Sequence, residues 1–103
     1  MRLHDYQEFS RTTAIYPKDR ALDYLGLGLA SEAGEVAGKL KKRIRDNGLD
    51  VMATVDEIGD VFWYLARLCD ELGFSAEDVL FRNMKKLSDR KERNVLSGNG
   101  DKR

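Results

Sequence analysis

The sequence predicts an all-α domain built around a helical hairpin in a four-helix bundle. Three observations carry that prediction. Proline occurs once, at Pro17, so nearly the whole chain is free of the residue that most strongly breaks helices. Apolar residues recur at three- and four-residue intervals, and few stretches alternate with period two. Stop and start signals then cut the chain into helix-length pieces: Asp46-Asn47-Gly48 before Asp50, and Gly73 before Ser75.

In chain order, the first helix is expected from Asp5 to about Thr13, with Tyr6 and Phe9 on one face. Ala14 to Pro17 is a connector. The second helix starts near Lys18 or Asp19, where acids suit the positive end of the dipole. It carries the apolar stripe Leu22, Leu25, Leu29, Ala33, Val36 and Leu40. Lys39, Lys41, Lys42, Arg43 and Arg45 gather near its C-terminus, and Asn47 or Gly48 can supply a left-handed cap. Asp50 caps a third helix reaching about Leu72, with the stripe Ile58, Val61, Leu65, Leu68, Cys69 and Leu72. Ser75-Ala76-Glu77-Asp78 resembles a capping box and opens a fourth helix to about Arg93, with Val79, Met84 and Leu87 among its apolar residues. Residues 1–93 form the domain, and the Gly-rich residues 94–103 read by composition as a frayed tail.

A chain of 103 residues is one domain with a thin core, which a partner chain would help complete. The 18 basic and 18 acidic residues cancel, so no net field favours nucleic acid or an anionic membrane. The single cysteine excludes an internal disulfide and suits a reducing compartment. No apolar run approaches the ~20 residues of a membrane span, and no signal peptide is visible, so the expected address is cytoplasmic.

Two acidic phrases stand out, Glu32-Ala33-Gly34-Glu35 and Glu57-Ile58-Gly59-Asp60. Acids at that spacing share a helix face. On a helical wheel Glu32 lies roughly 70° and Glu35 roughly 130° from the centre of their stripe, and Glu57 and Asp60 fall at similar offsets in the same sense. A short connection makes the two helices an antiparallel hairpin, which brings both pairs to one side at similar height. Four unpaired carboxylates there would repel, and a divalent cation relieves that. Oxygen-only donors select Mg²⁺, Mn²⁺ or Ca²⁺ over zinc or copper. A di-iron site would want Glu-x-x-His pairs, and His4 is the chain's only histidine. At this level a solvated acidic face and a metal site both stay open. Gly28, on the side of Glu32 and Glu35, allows either close helix packing or room for a ligand beside the acids.

Glu-x-x-Glu followed after a spacer by Glu-x-x-Asp resembles the MazG-like nucleoside triphosphate pyrophosphohydrolases. The flanking words, Gly28 to Val36 and Gly59 to Ala66, are also similar to that family, as are Asn83-Met84-Lys85-Lys86-Leu87 with Arg90 and Arg93. The ending Gly98-Asn99-Gly100-Asp101-Lys102-Arg103 is similar to a Gly-x-Gly-Asp-Asn-Arg ending of single-domain members, with Lys102 in place of Asn, and that resemblance implies that residues 94–103 are ordered by substrate or a partner chain.

The resemblance implies an all-α enzyme whose core is completed by homo-oligomerisation, as a dimer or tetramer. It would hydrolyse an NTP or dNTP to the monophosphate and pyrophosphate with Mg²⁺, Mn²⁺ being an alternative. Glu32, Glu35, Glu57 and Asp60 become the metal ligands, with Glu35 and Glu57 assigned to catalysis. Glu35 is the acid assigned to position or deprotonate the attacking water. Asn83, Lys86 and Arg90 become triphosphate contacts.

Tyr64 and Lys39 face the acids and join the candidate substrate contacts, although Lys39 also suits an i, i+4 ion pair with Glu35. Trp63 falls opposite the apolar stripe and is expected at a dimer interface or under a base. Tyr6, Phe9 and Tyr16 are expected to pack in a core or interface, with the wall of a nucleobase pocket as the alternative, Cys69 to be an inert buried thiol, and His4 to lie on the surface. The alternatives are hydrolysis of a non-standard nucleotide, such as phosphoribosyl-ATP or an alarmone, and a non-catalytic helical interaction module.

Overall fold

The computed structural model describes residues 1–103 and is all-helical. Its α-helices are α1 (Leu3–Arg11), α2 (Ala21–Asp46), α3 (Val51–Glu71) and α4 (Ala76–Glu92), with a single 3-10 turn at Lys18–Arg20. The ends follow local chemistry. Asn47 takes the left-handed conformation at φ 56° that ends α2. The Asp50 carboxylate accepts from the Ala53 N–H at 3.0 Å, and the Ser75 hydroxyl accepts from the Asp78 N–H at 3.1 Å. Gly73, at φ 81°, turns the chain between α3 and α4. α1 begins two residues earlier than the sequence suggests, because the Asp5 carboxylate accepts from the Arg2 N–H at 2.9 Å and closes the first turn.

α2 and α3 form the antiparallel hairpin. The buried residues Tyr16, Ala21 and Leu25 pack with Ala14, Trp63, Tyr64 and Leu68 at the open end of that hairpin. Trp63 is therefore half-buried within the chain. Its indole stands edge-on to Tyr16 and Tyr64, and its Nε1–H donates to Thr13 Oγ1 at 2.7 Å. That cover arises because the connector Ala14–Pro17 folds back over the side of α3 that faces away from its apolar stripe.

α1 lies across the end of α3 and the α3–α4 turn. Buried Gln7 clamps that turn: its side-chain amide donates to Phe74 O at 3.0 Å, and its amide oxygen accepts from the Ala76 N–H at 2.7 Å. Arg67, only 3 % exposed, donates to Tyr16 Oη, Ser10 Oγ and Asp70 Oδ2 and also faces Glu71. These bonds tie α1 and the connector to α3 through polar groups where apolar packing is thin.

Only 10 of 103 residues are buried, and the Cα radius of gyration is 16.5 Å. A compact chain of this length would have a radius near ~13 Å. With that open shape, many large apolar side chains find no cover within the chain. Leu22 and Leu40 of the α2 stripe and Ile58, Leu65 and Leu72 of the α3 stripe are all exposed, as are Phe62, Leu80, Phe81 and Met84. Cys69, expected fully buried, is half-buried beside this surface, where desolvation pushes its thiol up.

Within the hairpin, Gly28 lies against Tyr64. A methyl group there would overlap the ring of Tyr64, so the space beside this glycine is filled by an aromatic side chain and not left for a ligand. Gly26 has open space instead. Gly26→Ala should raise stability by up to about 1 kcal/mol through helix propensity. Gly28→Ala gains the same propensity but must overpack a fitted ring, at about 1–3 kcal/mol. Thermal melts of the two variants should rank Gly28→Ala below Gly26→Ala, and the reverse order would mean that Tyr64 is not held there.

Candidate functional site

Glu32 on α2 and Glu57 and Asp60 on α3 bring one carboxylate oxygen each to within 4.8 Å of one another. The hairpin produces this directly. With Gly28 set against Tyr64, one helical turn further along α2 sets Glu32 against the turn of α3 that precedes Tyr64. Glu32 and Glu57 are half-buried, and Asp60 is exposed. The Glu32 carboxyl is pushed above its ordinary value, first by desolvation, then by the charge of Asp60 and by contact with Glu57. Glu35 lies outside the group of three, is exposed, and reaches it only as a weaker charge on Glu32. None of the structure's ion pairs involves any of these four acids. That includes Glu35–Lys39, so the ion pair expected from their spacing does not form.

The donor set suits a hard divalent cation. All donors are carboxylate oxygens, the donors that Mg²⁺ and similar hard cations take, and Glu32, Glu57 and Asp60 are the residues that would hold such an ion. The neighbouring aromatics frame the cluster. Tyr64 packs edge-on to Trp63 and tilted against Tyr24, which stacks on Tyr16 at 5.4 Å. Burial raises the Tyr64 phenol first, with contributions from Tyr24, Glu32 and Asp60. Tyr6 of α1 is raised by burial and by Asp60, so α1 also borders the site. Lys39 is half-buried on α2, beyond Glu35.

The candidate phosphate contacts lie on α4. Asn83 borders two clefts. One is an apolar cleft of about 310 Å³ lined by Tyr6, Phe62, Leu65 and Leu80, among others. The other is a basic cleft of about 500 Å³ lined by Val79, Arg82, Asn83, Lys85, Lys86 and Asp101. Lys86 pairs with Asp101 at 2.8 Å. Arg90 is 5 % exposed and holds both the main-chain carbonyl and the carboxylate of Asp101.

Composition reads the tail as frayed, yet it folds back on α4. Arg103 donates to Val95 O at 2.9 Å, Leu96 O at 2.8 Å and Gly100 O at 2.6 Å. Gly98 and Gly100, at φ 145° and 88°, make the bend. Arg82, Lys85 and Asp101 are site-lining residues that sequence reasoning passed over. The i, i+4 step from Arg82 to Lys86 could have found the first, but nothing local marks Asp101 as the partner of α4.

The model of the MazG nucleotide pyrophosphohydrolase domain matches residues 21–95. The chain belongs to the MazG family. Across its whole length it is also similar to the Gene 37 protein of Mycobacterium phage L5, at 40 % identity over 114 aligned positions that cover all of both chains. No solved structure matches. The matched MazG region holds both acidic phrases and the α4 candidates, while Asp101 and Arg103 lie beyond it. Membership supports a nucleotide pyrophosphohydrolase activity in general, and no helix is long and apolar enough to cross a membrane.

Proposed function

We propose that this MazG chain hydrolyses nucleoside triphosphates, ribo or deoxy, to the monophosphate and pyrophosphate with Mg²⁺ or Mn²⁺, as a homodimer or homotetramer. The observation that carries the reading is the convergence of Glu32, Glu57 and Asp60 without any cationic side chain to neutralise them. A bound divalent ion supplies charge neutralisation for the triphosphate and lowers the pKa of water.

The chain's own groups do the rest. Glu32, Glu57 and Asp60 hold the ion. Glu35, beside the cluster but outside it, is free to orient a water and take its proton. The water oxygen forms the new bond to phosphorus, the bond to the pyrophosphate oxygen breaks, and pyrophosphate leaves with the electron pair. Asn83 and Lys86 on α4 would orient the triphosphate, Arg90 supports them by holding Asp101 of the tail, and Tyr64 and Lys39 border the site on the hairpin. The oligomer is supported by the uncovered apolar surface of α3 and α4, where Phe62, Leu65, Leu80 and Met84 face solvent in the protomer.

A panel of the eight common NTPs and dNTPs with Mg²⁺ is expected to yield pyrophosphate from at least one, and EDTA is expected to stop it. Release of orthophosphate alone, or of nothing, defeats the proposal. Turnover confined to phosphoribosyl-ATP or an alarmone added to the panel would redirect it to a non-standard nucleotide.

A further inference from the structure

The cleft of about 500 Å³ between α4 and the C-terminal segment is lined by three cations, an amide, one carboxylate and a single apolar residue. Its volume suits a small molecule, since such sites span about 300–1,000 Å³. Its lining suits an anion with several acceptor oxygens. Arg82, Lys85 and Lys86 provide the donors, and Asp101 offsets one of them.

How Asp101 is held separates two jobs. Its main-chain carbonyl is bound by Arg90, whose side chain is 7 % exposed, and the segment is stapled independently by the three bonds from Arg103. Its carboxylate, on a side chain 79 % exposed, reaches both Lys86, itself 40 % exposed, at 2.8 Å and the Arg90 guanidinium at 3.2 Å. The main-chain bonds thus hold the segment apart from the Lys86 arm of the carboxylate, and that arm stands in solvent where ion pairs are weak and exchangeable. A phosphate brings more charge and more acceptor oxygens to Lys86 than a carboxylate can.

We propose that this cleft is a polyphosphate-binding site formed by Arg82, Lys85 and Lys86, and that Asp101 is its internal competitor, surrendering Lys86 when the anion enters. The proposal rests on the reading of Lys86 as a triphosphate contact and extends it to Arg82, Lys85 and Asp101. It makes the tail a threshold on substrate entry that stays folded while its carboxylate is displaced.

The test is calorimetric titration of the full chain with inorganic tripolyphosphate in EDTA, so that no turnover is involved. Asp101→Asn is expected to tighten binding about two- to fivefold, the range an exposed ion pair can withhold. Arg82→Gln and Lys85→Gln are each expected to weaken it by a similar factor. Asp101→Ser serves as a second variant, with far-UV circular dichroism verifying that each stays helical. Weaker or unchanged binding in both Asp101 variants overturns the competitor, since a residue that merely positions Lys86 gives that sign. Unchanged binding in Arg82→Gln and Lys85→Gln, or no binding by the wild type, overturns the cleft. The nucleotide panel is scored separately: tripolyphosphate binding without turnover keeps the cleft and removes the hydrolase, and turnover without tripolyphosphate binding does the reverse.

Discussion

Replacing Glu57 with Gln is expected to cut pyrophosphate release by at least about a hundredfold, the scale of losing a group that acts directly on the transition state. The same change should raise the melting temperature of the metal-free protein. The sign follows from the cluster. The Glu32 carboxyl is held above its ordinary value by desolvation and by the charges of Asp60 and Glu57. A carboxyl whose pKa is raised by folding adds stability when protonated and loses it as pH rises through the folded value. At neutral pH the charged cluster therefore opposes folding, and deleting one of its charges relieves the strain.

A bound ion reverses the balance. The wild type should melt higher with Mg²⁺ by linkage, whereas Glu57→Gln should show little shift. Metal-free wild type should also gain stability on mild acidification, through the range of the raised Glu32. The decisive measurement is the pair of melting curves with and without Mg²⁺, beside the activity assay. A variant that loses activity, melts lower without metal and keeps the Mg²⁺ shift would show that Glu57 serves the fold and not the ion.

What the sequence made legible was what depends on near neighbours. Helix ends at Asn47, Asp50 and Ser75 follow from residues within a turn of each boundary. The meeting of Glu32 with Glu57 and Asp60 follows from one rotation and one short connection. The failures have a common origin. A wheel centres on the mean apolar direction, and on this chain that mean blends two surfaces. Leu25 and Leu68 face inward, while Leu22, Ile58 and Leu65 remain uncovered. The partial cover of Trp63 was not legible because it comes from residues around 50 positions away in the chain, as its bond to Thr13 shows. The tail's fold was not legible in composition, because it depends on Arg103 and on α4 side chains that composition does not link to it.

Arg67→Ala is expected to remove about 3–5 kcal/mol of stability, the cost of taking one partner from a buried ionic network. Whole domains hold only about 5–15 kcal/mol, so the variant should be largely unfolded or heavily dependent on oligomerisation. The guanidinium is 3 % exposed and meets four groups at once: Ser10 at 3.2 Å, Tyr16 at 3.3 Å, Asp70 at 3.1 Å and Glu71 at 3.6 Å. Lysine could not restore this, because a single ammonium lacks the planar fork that reaches several acceptors. Arg67→Lys should fall between wild type and alanine in urea melts.

The network also sets the acid limb. Asp70 is held down to about 2, chiefly by its bonds to Arg11 and then by Arg67. A carboxyl lowered by folding contributes stability that is fully present above its ordinary value and is lost as pH falls through the folded one. Wild-type stability from this source should therefore persist to about pH 4 and decline towards pH 2. Removing Arg11 takes the largest of the restraints, so Arg11→Gln should move that decline to higher pH while leaving neutral-pH stability far less damaged than Arg67→Ala does. The difference arises because Arg11 is exposed and acts on one acid, whereas Arg67 is the buried centre on which α1, the connector and α3 converge.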